Sequence, residues 1–219
     1  MAGEVKGKIY EAITKVALEI AIKGNKRGWK VLWHEQPAWV TIEADLAIGK
    51  DKESIEALFM VTHSTSEKLS EKKFWRNYGE LFQWKVQGPK PVLCYDILFD
   101  ASFKPELLKI NESFTDSTLI VSTKHYGKVI VDYVNRYKKE FGNSDETRVR
   151  HAETLLKSSK SDDVNLTGAI EEYASDLGLM LGQVNKKILE LWNILRPLDI
   201  SRHIAEPHRM IIVVTISKK

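Results

Sequence analysis

The side chains best suited to phosphate-ester chemistry crowd into residues 39–85. Glu43 and Asp45 stand two apart in WVTIEADLAIG, a run that alternates apolar and polar residues. Alternation along a strand puts both carboxylates on one face, opposite Ile42, Ala44, Leu46 and Ile48. A second apolar run, SIEALFMVTHS, ends in Thr62, His63 and Ser64. If the two runs pair as a hairpin, Asp45 comes near Met60 or Thr62. The basic stretch EKKFWRNYGELFQWK then spaces Lys72, Arg76 and Glu80 four apart, which stacks them on one helix face, with Lys85 beyond. Carboxylates flanked by cations suit magnesium, which takes one or two carboxylates together with phosphate oxygens and water. Magnesium activates water and neutralises charge that builds on a phosphate. Taken singly, each of these residues also fits a solvated strand or helix face, and a lone histidine is commonly structural. Their co-occurrence in one strand–strand–helix unit favours chemistry.

The elements that must position these residues can be read in order. Ile9, Ile13, Val16, Ala17 and Ile20 recur at helical spacing, and Gly24 and Asn25 stop that first helix. Glu11 and Lys15, four apart on its polar side, read either as a solvated ion pair or, for Glu11, as a carboxylate leaning over a site. Trp29, Val31 and Trp33 alternate in a first strand, joined to the second by a turn at 35–37. Residues 49–54 form the next turn, and the third strand is apolar enough to be buried on both faces. Ser70 caps a helix over 71–85, which Gly88 and Pro89 end. A central strand VLCYDILF, a short helix after Pro105 and a strand STLIVS follow. Residues 126–141, 146–157 and 166–195 read as helices, and RMIIVVTIS as a closing strand. The long apolar stripe through Ile170, Tyr173, Leu177, Leu181, Val184 and Ile188 reads as core or as a partner-binding face. An antiparallel meander followed by crossovers predicts an α/β (α+β) fold, a mixed sheet flanked by helices with a helical C-terminal region. Residues 1–125 form its α/β core and residues 126–219 a mainly helical part of the same domain.

The totals agree with a single domain of 219 residues, 43% of them hydrophobic. A net charge of +3 permits a nucleic-acid partner without requiring one. One cysteine, Cys94, excludes an internal disulfide framework and points to a cytoplasmic protein, and no apolar run is long enough to span a membrane. The sequence holds no Walker-type phosphate loop, no GxSxG and no cysteine pairs for zinc, which argues against NTPase, serine hydrolase and zinc-finger readings.

EAD on one strand, VTHSTS on the next and KFWRNYGELF on a helix together resemble type II restriction endonucleases of the PD-(D/E)XK nuclease superfamily, over about the first 120 residues. The resemblance implies a restriction-endonuclease-like core of helix, three-strand meander, helix and strand. It implies magnesium-dependent hydrolysis of double-stranded DNA, with Asp45 as the first metal-binding aspartate. By register, Met60 and Thr62 stand where the motif carries a carboxylate and a lysine. Either the carboxylate has moved to the following helix as Glu80, with His63, Lys72 or Lys85 as the cationic group, or the chain is a DNA-binding subunit of a heteromeric enzyme. In the first case Asp45 and Glu80 hold the metal, Glu43 or Glu11 is an outer ligand, and His63, Thr62 and Lys85 complete the catalytic set. Lys68, Lys72, Lys73 and Arg76 then grip phosphates, and the partner is a second copy of the chain or a second nuclease subunit. Asn135, Arg136, Lys138 and Lys139 are further candidates for DNA contact. A non-enzymatic DNA-binding module is the rival from another class.

Overall fold

In the computed structural model the described residues are 2–64, 66, 68–88 and 92–123, a few positions between 135 and 178, and the backbone of 211–215. The element order is α1 (Ala2–Ala21), β1 (Lys30–Glu35), β2 (Ala44–Gly49), β3 (Ile55–His63), α2 (Glu71–Gln87), β4 (Leu93–Phe99), α3 (Pro105–Asn111), β5 (Ser117–Ser122) and β6 (Ile211–Thr215). The expected helices over 126–195 lie outside the described residues, apart from isolated positions.

The six strands form one mixed sheet in the order β1-β2-β3-β4-β5-β6. β1, β2 and β3 are an antiparallel meander, and β4, β5 and β6 add in parallel. The parallel order puts the ends of β3, β4 and β5 along one edge, next to the beginning of β2.

Each face of the sheet is sealed by helix. Ile9, Ile13 and Ala17 of α1 pack on Leu46, Phe59, Tyr95 and Ile97, and Tyr173, Ala174 and Leu177 join the same cluster. This places the described part of the C-terminal stripe in the core. Leu81 and Trp84 of α2 cover Ala47, Leu58, Met60 and Cys94 on the opposite face. Phe74 and Leu107 extend this side over Leu98. Every residue of β4 is buried, and so are most of β3, as their apolar runs predict. No helix among the described residues is long and apolar enough to cross a membrane.

Local chemistry sets the boundaries. Gly24, at φ 77, follows the last turn of α1. The Ser70 hydroxyl accepts from the Lys73 amide and caps α2. Asp51 accepts from the amides of Glu53 and Ser54 and closes the β2–β3 turn. The β2–β3 register shifts at Gly49, and the backbone passes so close that a Cβ would lie 2.8 Å from the Ser54 carbonyl oxygen and 2.9 Å from the Ile55 Cα. Both obstacles are backbone. Gly49→Ala is therefore expected to lower stability by about 2 kcal/mol, the cost of overpacking, read as a lower urea midpoint at unchanged m-value.

One expectation fails in detail. β2 begins at Ala44, and residues 36–43 form a longer connection than the 35–37 turn. Val40 turns back, its amide bonded to the Pro37 carbonyl. Val40 and Ala44 join the α2-side core, while Leu46 and Ile48 join the α1-side core. The period of two therefore does not reach back to Glu43, and Glu43 and Asp45 do not share a strand face.

Candidate active site

Asp45 lies where β2 and β3 part. The two strands pair from Gly49 up to Leu46 and Phe59, and the pairing stops there. Asp45 comes next in β2, and its Oδ2 accepts from the Val61 amide at 2.8 Å, so a side chain replaces the missing rung of the ladder. This agrees with the expected hairpin, with Val61 rather than Met60 or Thr62 as the contact. Burial raises the Asp45 carboxyl to about 7, with the negative charge of Glu11 as the second cause. The Val61 bond and the charges of Lys8 and His34 pull the other way.

Glu11 reaches this point from α1. Lys8 Nζ lies 2.8 Å from each of its carboxylate oxygens, and His34 Nε2 lies 3.0 Å from Oε2. The ion pair expected with Lys15 is not formed; Lys15 bonds Glu19 at 2.7 Å instead. Glu11 thus pairs with Lys8 and His34 rather than with Lys15, and its charge acts on Asp45. Glu43, exposed on the connection before β2, meets His34 Nδ1 at 2.7 Å.

On the other face, Lys73, Asn77, Glu80 and Trp84 follow one another at spacings of four, three and four along α2. Lys73 Nζ donates to the His63 carbonyl, Asn77 Nδ2 to Thr62 Oγ1 and Trp84 Nε1 to the Ile42 carbonyl. This stripe runs down the ends of β3 and β2. Glu80 sits between the Asn77 and Trp84 anchors, paired with Arg76 Nε at 2.9 Å. Asp45 and Asp96 both act on the Lys73 charge, whose pKa is lowered first by desolvation and then by Arg76. Asp96 lies on β4 in register with Met60 and is fully buried, its carboxyl raised to about 7 mainly by burial.

The remaining predicted residues are placed as follows. Thr62 is buried and occupied by Asn77. His63 stacks on Tyr10 with ring centroids 4.5 Å apart, and the Tyr10 hydroxyl bonds Asp100 and Thr123 at the ends of β4 and β5. Lys85 is not brought to this group. Its ammonium bonds Asp116 at 2.6 Å, and Asp116 also accepts from the Cys94 amide near the start of β4. Twelve residues of helix, about 18 Å at 1.5 Å each, separate Lys85 from Lys73. Lys68, Lys72, Lys73 and Arg76 lie exposed on and before the first turns of α2.

Sequence reasoning missed His34, Lys8 and Asp96. Asp96, a lone acid inside the apolar strand LCYDILF, was the signal available for one of them.

A hard divalent cation fits the donors present. Asp45 and Glu11 supply two carboxylates whose charges disfavour each other, a repulsion that such a cation would relieve. Among the described residues no group of three or more His, Cys, Asp or Glu side chains forms a ready-made metal cage. Magnesium uses few protein ligands and fills its sphere with water and phosphate. Compared with protein-family models, curated proteins and solved structures, the chain matches none.

Proposed function

We propose that the chain is a magnesium-dependent endodeoxyribonuclease of the type II restriction kind, or one subunit of such an enzyme. The observation that carries this reading is the Asp45 carboxylate, lodged where β2 and β3 part and pressed by Glu11 beside the carboxyl ends of β3 and β4. Asp45 and Glu11 would hold magnesium, with Glu43 as an outer carboxylate; Glu80, on the α2 side and paired with Arg76, is not among the charges acting on Asp45. Bound there, the cation would offset charge on the scissile phosphate and ease the activation of water. Lys73 and His63, joined at the end of β3, would face the phosphate and balance its charge.

Lys68, Lys72 and Arg76 would hold neighbouring phosphates, which makes affinity depend steeply on salt. Lys72→Ala is expected to weaken all DNA sequences alike. It should also lower the slope of log K against log salt by about 1, measured by fluorescence anisotropy at several salt concentrations.

A second reading, a DNA-holding subunit without chemistry of its own, is favoured by Met60 and by Thr62, whose hydroxyl is taken up by Asn77. Incubation of the purified chain with mixed-sequence DNA and magnesium separates the two. Discrete fragments from the chain alone support the nuclease. Fragments only after a second subunit is added support the subunit. DNA that is retarded but never cut supports a binding module and removes the enzymatic reading.

A further inference from the structure

His34 is over-determined in a way that its place on an edge strand does not require. Its backbone has φ 49, the left-handed region that residues other than glycine enter at a cost. It stands one residue before the end of β1, which a relaxed extended residue could finish as well. What the unusual conformation achieves is the aim of the ring. Nδ1 lies 2.7 Å from Glu43 Oε1, and Nε2 lies 3.0 Å from Glu11 Oε2 and 2.7 Å from Lys8 Nζ. One imidazole thus links α1 to the connection that leads into β2.

We propose that His34 is a positioning residue of the site, which with Lys8 fixes the Glu11 carboxylate toward Asp45 and draws Glu43 in behind it. Lys8 Nζ lies 2.8 Å from both Glu11 oxygens, and His34 Nε2, as an N–H donor, adds a bond to Oε2 alone. Lys8, one turn away on the same helix, is a flexible chain that would follow Glu11 into several rotamers. His34 approaches from a different element and from one direction, so it is the contact that selects among those rotamers. Strain retained at a site is accepted where the geometry it maintains is used. The role assigned to His34 rests on the reading of Asp45 and Glu11 as the carboxylates that hold magnesium.

The test is His34→Gly. Glycine occupies φ 49 without penalty, so the substitution removes the ring while relaxing the backbone. The variant is expected to melt within a few degrees of the native chain and to bind DNA equally well without metal. It should need roughly ten-fold more magnesium for half-maximal cleavage and show the same loss when magnesium binding is measured directly by calorimetry. His34→Asn, which tolerates the same backbone and keeps one donor, should fall between. An unchanged magnesium requirement in His34→Gly overturns the proposal. So does a large fall in melting temperature with the magnesium requirement intact, because His34 would then be a structural bridge. If the native chain itself neither binds magnesium nor cuts DNA, the nuclease reading fails first and the positioning role fails with it. The native control therefore tells the two failures apart.

Discussion

Asp45→Ala abolishes magnesium-dependent cleavage, by roughly three orders of magnitude or more, while DNA affinity measured without metal stays within a few-fold. That scale corresponds to losing about 4 kcal/mol of transition-state stabilisation, the size of a lost charge contact to the reacting phosphate. The cations proposed to hold phosphates sit on and before α2 and do not depend on this carboxylate for position. Alanine also removes the acceptor of the Val61 amide. Asp45→Asn is therefore the companion variant, since its amide oxygen can still accept while the charge is gone. Both should be inactive, and both should fold.

The native pH profile gives a second check on the same residue. Burial and Glu11 raise the Asp45 carboxyl to about 7. Only the ionised form offers a charge to a cation. Activity at low magnesium should thus rise as pH increases through about 7 and level off above it, with the rising limb lost when magnesium saturates the site. Wild-type cutting by Asp45→Asn, or a profile flat between pH 5 and 8 at low magnesium, would remove Asp45 from its assigned place.

The elements that position Asp45 were legible because they rest on local rules. The apolar runs of β3 and β4, the Ser70 cap and the Gly24 stop each have a cause within a few residues, and each lies where the sequence puts it. Asp45 was legible as a carboxylate alternating with the apolar residues of its strand, although the Glu43 read beside it lies outside the strand. The partners of Asp45 were not. Glu11 offered Lys15 as a partner four residues on, and only the packing of α1 across the sheet turns it to His34 instead. Lys85 reads as the natural continuation of a cationic helix face. Its real partner, Asp116, arrives from the start of β5, thirty-one residues along the chain. Lys73 looked like one of four exposed cations, yet the docking of Asn77 on Thr62 sends its ammonium to the His63 carbonyl. Spacing along one element decides which side chains are neighbours on it. Which neighbour across the sheet wins is set by register and by where strands stop pairing, and β2 and β3 stop pairing one residue short of Asp45.

Asp96→Asn stabilises the chain at pH 8 by about 2–4 kcal/mol, and the gain disappears toward pH 4. Asp96 is fully buried, and Asn111 Nδ2 donates to its Oδ2 at 3.1 Å. Its Oδ1 and the Asn111 Oδ1 have no hydrogen-bond partner among the described residues. Both atoms are acceptors when Asp96 is ionised, so neither can serve the other. Burial, with a contribution from Asp45, raises the Asp96 carboxyl to about 7, and Asn111 and Lys73 only partly offset this. Unfolded, the same group titrates near 3.9. Between about pH 4 and 7 the folded chain therefore holds a proton that the unfolded chain has released. Stability falls as pH rises through that window and is level above it. Asparagine carries no charge at any pH, and its amide can donate to Asn111 Oδ1 while its oxygen accepts from Asn111 Nδ2. Urea midpoints at unit steps from pH 4 to 8 should converge at the acid end and separate toward the alkaline end. A residual slope should remain from Asp45, which is raised in the same direction. A variant less stable than the native chain at pH 8 would instead make Asp96 an ionised partner of Lys73. A buried acid that lowers stability at neutral pH, coupled electrostatically to Asp45 and Lys73, is the kind of cost that a functional site retains and a purely structural core would shed.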